Sequence, residues 1–386
     1  MKKFAKMSLV AAIAVAGLTT ANAKPLEEAI KGVDISGTVA YRYEEANADL
    51  AAAASRFGSA PTAPTPSFNR SEGDNYYKAV VDMVIPAGDD FTMGLSFQAG
   101  DAAPLSTSTV ANPSVDNAGV DVHLTGANFT YSGIANTTIT AGMQAIPTPW
   151  TVAADAMGTT HSGTGILALS TQGPVTLAGA YFNQTDIAAF AAGQDIWVIG
   201  ALGSVAGVNL EAFYADARDF LDSYTLAGSY KLDLDGIGLA FSLRYTELEL
   251  DSAPGAEHDV TQGSIKLTAG MFDASVAYGE TGSNGGLVAF DPTAKTTMEG
   301  WNTALGTAAN NEYLKLSVGA KVLPSVHVSL NYNDLDTSTA NFDETETYLQ
   351  VKYQATKSLS TYVRLGELEV GNLDGSAGRV HVQYSF

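Results

Sequence analysis

Apolar residues recur at every second position along most of this chain. In GLAFSLRYTELEL, residues 238–250, Leu239, Phe241, Leu243 and Tyr245 fall on one side, while Ser242, Arg244 and Thr246 fall on the other. Successive side chains of a β-strand point to opposite faces, so this is a strand with one apolar and one polar face. The same alternation runs through DISGTVAYRY (34–43), FTMGLSFQ (91–98), YLKLSVGAKV (313–322), SVHVSLNY (325–332) and TYLQVKYQ (347–354). Followed along the chain, it predicts about eighteen strands. They lie near 33–44, 75–85, 91–100, 119–131, 137–146, 163–171, 175–183, 195–203, 208–216, 223–233, 237–249, 260–270, 272–280, 312–322, 325–334, 345–355, 358–368 and 378–386.

The connections between them alternate in length. Short ones fall at 86–90, 132–137, 171–174, 204–207, 234–236, 270–272, 323–325 and 355–358; long ones fall at 45–74, 101–118, 147–162, 184–194, 217–222, 250–259, 281–311, 335–344 and 369–377. Strands running up and down in sequence, with tight turns at one end and long loops at the other, match a transmembrane antiparallel β-barrel with short periplasmic turns and long extracellular loops. A sheet in hydrocarbon must close, because backbone groups at an open edge find no partner there. The segment VHVQYSF (380–386) is then the closing strand, paired with 34–43, with Val380, Val382, Tyr384 and Phe386 facing outward. The rival all-β architecture, a soluble sandwich, would need two domains at this length.

Composition adjusts the picture. Lys2, Lys3 and Lys6 precede an apolar run from Met7 to Thr20, and Ala21-Asn22-Ala23 supplies a small-residue cleavage site. This reads as a signal peptide, residues 1–23, cut before Lys24; the run is short of the ~20 residues of a spanning helix. Residues 24–386 then form a single barrel domain. Cysteine is absent, which removes disulfides, thiolate catalysis and Cys-ligated zinc. Loss of the leader takes three lysines and no acid, moving the formal net charge from −21 to −24. Such acidity excludes nucleic acid as a partner, since phosphates repel it, and favours cations wherever acids line a passage.

Three segments carry a family resemblance. They are KPLEEAIKGVDISGTVAYRY (24–43), PWTVAADAMGTTHSGTGILAL (149–169) and the closing strand ending in Phe386. The first two resemble the Campylobacter-type (epsilonproteobacterial) major outer membrane porins. That resemblance implies an 18-stranded barrel, a homotrimer in lipid and lipopolysaccharide of the cell outer membrane, and passive diffusion of small hydrophilic solutes with a preference for cations. The closing strand resembles the C-terminal signature of bacterial outer-membrane proteins, which implies recognition of Phe386 by the barrel assembly machinery.

Strand parity sends a set of charges inward: Arg42, Lys78, Lys231, Arg244, Lys266, Lys315, Lys321, Lys352, Arg364 and Arg379, with the acids Asp82, Asp121, Glu211 and Asp273. On a lipid face each base would cost about 2–4 kcal/mol near the midplane. Two readings of the interior stand side by side. In one, a basic wall faces acids on an infolded loop at 147–162, with Asp155 at the constriction. In the other, bases pair with acids on neighbouring strands and simply fill a polar interior. Net charge favours cations, but the count of strand-borne bases does not.

The family resemblance also implies a calcium ion near the constriction, with Asp155 and Asp195 as its carboxylates, although an extra residue separates Trp150 from Asp155. A hard cation wants several oxygen ligands; no cofactor is required. The five histidines, His123, His161, His258, His327 and His381, show no i, i+4 pair, against zinc. His161 precedes Ser162 in HSGTG without an evident third partner, so an outer-membrane hydrolase ranks below the channel readings. The alternatives to a general porin are a substrate-specific channel and a structural or adhesive surface barrel; the long loops 45–74 and 281–311 suit both surface contact and pore lining.

Overall fold

The computed structural model describes residues 32–46, 74–100, 122–158, 160–187, 190, 193–291, 293–338, 343–371 and 373–386. Among these, all regular structure is strand. In chain order the strands are β1 (Asp34–Ala46), β2 (Asp74–Pro86), β3 (Phe91–Ala99), β4 (Val122–Ile134), β5 (Thr137–Ala145), β6 (Ser162–Gln172), β7 (Val175–Thr185), β8 (Ile196–Val205), β9 (Val208–Ala217), β10 (Leu221–Leu234), β11 (Ile237–Leu250), β12 (Glu257–Ala269), β13 (Phe272–Thr281), β14 (Glu312–Leu323), β15 (Val326–Asp336), β16 (Glu344–Gln354), β17 (Leu359–Val370) and β18 (Leu373–Ser385). Each pairs antiparallel with its sequence neighbours, and β1 also pairs with β18, so the 18-stranded sheet closes into a barrel. The expected leader at 1–23 lies outside the described residues.

The β1–β18 seam runs from Thr38 opposite Ser385 to Ala46 opposite Ala377, and Phe386 extends it. Gly37 N donates to Phe386 O and Phe386 N to Gly37 O, both at 3.1 Å. Tyr41 stands opposite Val382, and Arg42 opposite His381. Gly37 has no room for a side chain: a Cβ there would lie 2.3 Å from the Val80 carbonyl and 2.8 Å from the Phe386 ring.

The outer face is apolar and open. Ile199, Leu243 and Leu365 are 62%, 62% and 61% exposed, which no water-facing surface of this extent would tolerate and which lipid covers. Short turns use the residues that tight hairpins demand. Asp235 and Gly236 both hold positive φ, 51° and 90°, as a two-residue turn matching strand twist requires.

Two connections differ from expectation. The β9–β10 and β17–β18 joins, placed among the long loops at 217–222 and 369–377, are tight turns. Leu221 pairs with Ala217, and Leu373 pairs with Val370. The reason in β18 is composition: Gly375, Ser376, Ala377 and Gly378 break the apolar alternation while the backbone ladder continues through them. Length therefore alternates by side but not strictly.

The interior is not empty. Trp150, Phe213, Leu248, Val260, Val288, Met298, Leu305, Tyr313 and Leu335 form a buried apolar cluster. Its members come from inward positions at the loop-side ends of the strands and from the described residues of two connections, 146–161 and 282–311, which fold into the lumen.

Candidate functional site in the barrel lumen

The β5–β6 connection leaves the wall through a local turn. Thr151 Oγ1 bonds the Ile146 carbonyl, and Thr148 Oγ1 and Thr151 Oγ1 lie 2.8 Å apart. Trp150 then buries completely, edge-on to Phe213 with centroids 6.4 Å apart. Beyond it the chain crosses the lumen to β1 and β2. Asp155 Oδ1 and Oδ2 accept from Arg42 Nη2 at 2.9 and 3.0 Å. Met157 buries against Ala40 and Tyr76, and Lys78 Nζ donates to the Gly158 carbonyl at 2.5 Å. A segment anchored between β5 and β6 thus touches the far side of the barrel.

The β13–β14 connection meets it. Phe290 N and Asp291 N donate to the Trp150 carbonyl at 2.9 and 3.1 Å. Ala154 N donates to Thr293 O and to Thr293 Oγ1. The wall holds this second segment through Glu346, whose side chain is 1% exposed. Its carboxylate accepts from Trp301 N at 3.0 Å, Asn302 N at 2.8 Å, Asn302 Nδ2 at 2.8 Å and Asn333 Nδ2 at 2.7 Å. Lys315 Nζ bonds the Glu299 carbonyl.

Facing both segments is a basic wall on β17, β18 and β1. Arg364 stands directly opposite Arg379 in the ladder, and Arg379 opposite Glu44. Two like charges in register repel. Here Glu44 offsets one of them: it ion-pairs with Arg379 and lies 3.7 Å from Arg42 Nε. Arg42 Nη2 also reaches Tyr362 Oη at 3.3 Å, and the Tyr362 ring stacks on His381 at 4.8 Å.

Between the inserted loops and the β7–β14 side of the barrel lies a cavity of ≈ 920 Å³, lined by Asp155, Glu299, Glu211, Arg244 and Lys315 among others and reached from the basic wall by Arg364. Burial works to raise the Asp155 carboxyl, but Arg42 and then Arg379 outweigh it and hold it at about 2. Glu299 goes the other way. Burial, reinforced by the nearby Asp155, pushes it up to about 8 against the pull of Arg379 and Lys315.

The remaining anticipated residues are distributed. Arg244 Nη2 pairs with Glu211 Oε1 at 2.8 Å across β11, β10 and β9. Asp82 lies on the inner face of β2, opposite Ser36 and Ser96. Lys266 and Lys352 are exposed on inner positions near the short turns, away from the inserted loops. Asp121 lies outside the described residues. Asp195 is not beside Asp155: it accepts from Tyr181 Oη at 2.7 Å and lies 3.6 Å from Arg218. Tyr181 packs on Trp197, which is 56% exposed on the lipid face, so Asp195 belongs to the outer rim. Asp155 has both oxygens committed to Arg42, with Met157 N also on Oδ1 at 2.7 Å. Among the described residues, no group of three or more His, Asp or Glu side chains is placed to hold a metal ion. These residues do not fit the two-carboxylate calcium site.

His161 and Ser162 do meet a third partner, Asp186, but in the wrong order for hydrolysis. Asp186 takes His161 Nδ1 at 2.8 Å and Ser162 Oγ at 2.9 Å, while His161 Nε2 faces the Phe290 carbonyl at 3.1 Å. The nucleophile's proton is thus directed to the carboxylate and not to the imidazole.

The profile of the Campylobacter major outer membrane protein family matches residues 1–319. The chain belongs to this family. Among curated proteins, none matches this chain in sequence. Its fold is that of solved outer-membrane porins. Pseudomonas aeruginosa OpdK, solved with vanillate, superposes with a TM-score of 0.69 at 12% identity over 92% of this chain and 99% of its own. Pseudomonas aeruginosa OccK9 (OpdG) gives 0.68 at 14% over 93% and 99%, and Acinetobacter baumannii OccAB1 gives 0.67 at 14% over 91% and 96%. By family the chain is therefore an outer-membrane porin, and its fold is that of the solved structures.

The loop 281–311 is suited by sequence to surface contact or pore lining alike, and nothing singles out Glu299, Trp301 or the anchor Glu346. A signal for insertion existed. Ile196, Val198, Phe213, Leu248, Val260 and Leu335 are apolar at inward parity, all toward the loop side. Strands apolar on both faces at one end imply something apolar inside.

Proposed function

We propose that this porin passes small hydrophilic solutes and ions by passive diffusion, through a passage narrowed by both inserted loops, and that it favours cations there. It is a channel and not an enzyme. The observation that carries this reading is the pairing pattern at the narrowing. Three of the four lumen-facing arginines among the described residues are offset by carboxylates: Arg42 by Asp155 and Glu44, Arg379 by Glu44, Arg244 by Glu211. Charged side chains at a constriction set which ions pass. With these bases offset, the chain's net charge of −21 tips the field toward cations, and Glu299 adds to it as it ionises above about pH 8. The proposal extends to a homotrimer in outer-leaflet lipid and lipopolysaccharide, on the family resemblance, and to insertion by the barrel assembly machinery through Phe386, on the resemblance of the closing strand.

The test is single-channel current of the purified protein in a planar bilayer under a KCl gradient. Conductance in three equal steps, with a reversal potential favouring K⁺, is the expected result. A folded barrel without conductance would sink the channel reading, and a reversal potential favouring Cl⁻ would sink the cation preference alone.

A further inference from the structure

Four arginines face the lumen among the described residues: Arg42, Arg244, Arg364 and Arg379. Three of them meet a carboxylate within 4 Å. Arg364 meets none among the described residues. Its Nε donates to Gln350 Oε1 at 2.7 Å. Its guanidinium carbon sits 4.9 Å from the Tyr362 ring centroid, 5.3 Å from Tyr348 and 5.9 Å from Trp301. Three aromatic rings pack around the group and one amide takes the inner edge, so the donors left over are Nη1 and Nη2. Arg364 lines the ≈ 920 Å³ lumenal cavity together with Lys315.

We propose that Arg364, framed by Trp301, Tyr348 and Tyr362, is a carboxylate-binding subsite inside the lumen, where small organic carboxylates pause as they cross. The proposal rests on the channel reading and adds a solute class to it. The chemistry follows from the geometry. A guanidinium fork matches a planar carboxylate through two parallel N–H donors. The surrounding rings hold the fork in one plane, so little freedom is lost when it binds. Lys315 adds a second positive charge on the same cavity wall. A pore needs such a stop to be weak enough to leave. The exposed, water-facing cavity and the single fork meet that requirement, whereas a buried cage would trap the solute. Cation preference and a carboxylate stop coexist, because the first is set by the summed field and the second by one unpaired fork.

The experiment is single-channel recording in KCl with butyrate added to one side, with the neutral amide butyramide as its control. Wild type is expected to show concentration-dependent current blockades with butyrate and not with butyramide. Arg364→Gln should weaken the blockade about tenfold or more, the loss of a charge-assisted bidentate contact. Arg364→Lys, which keeps the charge and loses the fork, should fall between. Equal blockade by butyrate and butyramide in wild type overturns the proposal without any variant, which guards against a variant that fails to fold. So does unchanged butyrate blockade in Arg364→Gln, and Arg364→Lys equal to wild type overturns the role of the fork. Absence of KCl conductance refutes the channel reading itself; normal KCl conductance without butyrate blockade refutes only the subsite.

Discussion

Asp155→Asn tests whether the first inserted loop is held by charge. The native carboxyl lies at about 2, against an ordinary value of 3.8. A displacement of roughly two units at 1.36 kcal/mol per unit corresponds to about 2.5 kcal/mol favouring the ionised, docked form. Asp155 is only 17% exposed and Arg42 1%, so solvent screening does little to reduce the figure. Because the folded value is depressed, this contribution is present above about pH 4 and is lost as pH falls through about 2. The asparagine variant removes it at every pH and leaves Arg42 with Glu44 at 3.7 Å and Tyr362. Met157 burial and the Lys78 bond to Gly158 still hold the loop. The docked-to-undocked ratio should then drop between about tenfold and a hundredfold. In bilayer recordings at pH 7 the variant should show noisier current with larger open excursions, and K⁺ preference should decline. Limited proteolysis should cut within 146–161 faster than in wild type. Wild-type behaviour in conductance, reversal potential and proteolysis, together with an unchanged acid profile between pH 4 and 2, would refute the charge-held loop.

Three further outcomes are expected. Glu346→Ala leaves the backbone donors of Trp301 and Asn302 without their acceptor; bonds to a charged group are worth about 1.5–3 kcal/mol each, so the 282–311 segment should loosen, read as rising conductance and faster proteolysis there. Glu299 ionises as pH climbs through about 8, adding negative charge to the cavity wall, so the K⁺/Cl⁻ reversal potential should move toward K⁺ between about pH 7 and 9, and Glu299→Gln should abolish that step. Gly37→Val drives a side chain into the Val80 carbonyl and the Phe386 ring, so the seam should fail to close, seen as loss of the compact, heat-modifiable band on SDS gels.

The strands were legible because lipid outside and water inside impose one rule on every residue. Period-two alternation located all eighteen, and it also assigned Arg42, Arg244 and Arg364 to the lumen. Legibility failed where that rule lapsed. The Gly375–Gly378 stretch carries no apolar alternation, so its ladder to β17 was invisible and a tight turn passed for a loop. The extent of the interior core was invisible for the opposite reason. Phe213, Leu248 and Val260 are apolar at inward positions, and only their partners, Val288, Met298 and Leu305, explain them. Those partners sit in a segment with no period at all, and no local pattern says that a loop turns inward. Asp195 misled because adjacency to a strand end does not say which face its side chain joins; Tyr181, outward by parity, draws it to the rim.

The division of charge between wall and loops has a physical cause. An arginine on a strand is fixed by the ladder on both sides and can be placed in register, as Arg364, Arg379 and Glu44 are. An acid on an inserted loop is placed only as well as the loop is docked. Docking in turn depends on the same contacts, Arg42 with Asp155 and Glu346 with Trp301 and Asn302. The wall therefore positions the loops and the loops complete the field, so changing either one should alter loop order and ion preference together. Asp155→Asn and Glu346→Ala should accordingly shift reversal potential and proteolytic protection in step, though they lie on different loops. A variant that moved selectivity while leaving both loops fully protected would show that field and docking are separable, and would break this coupling.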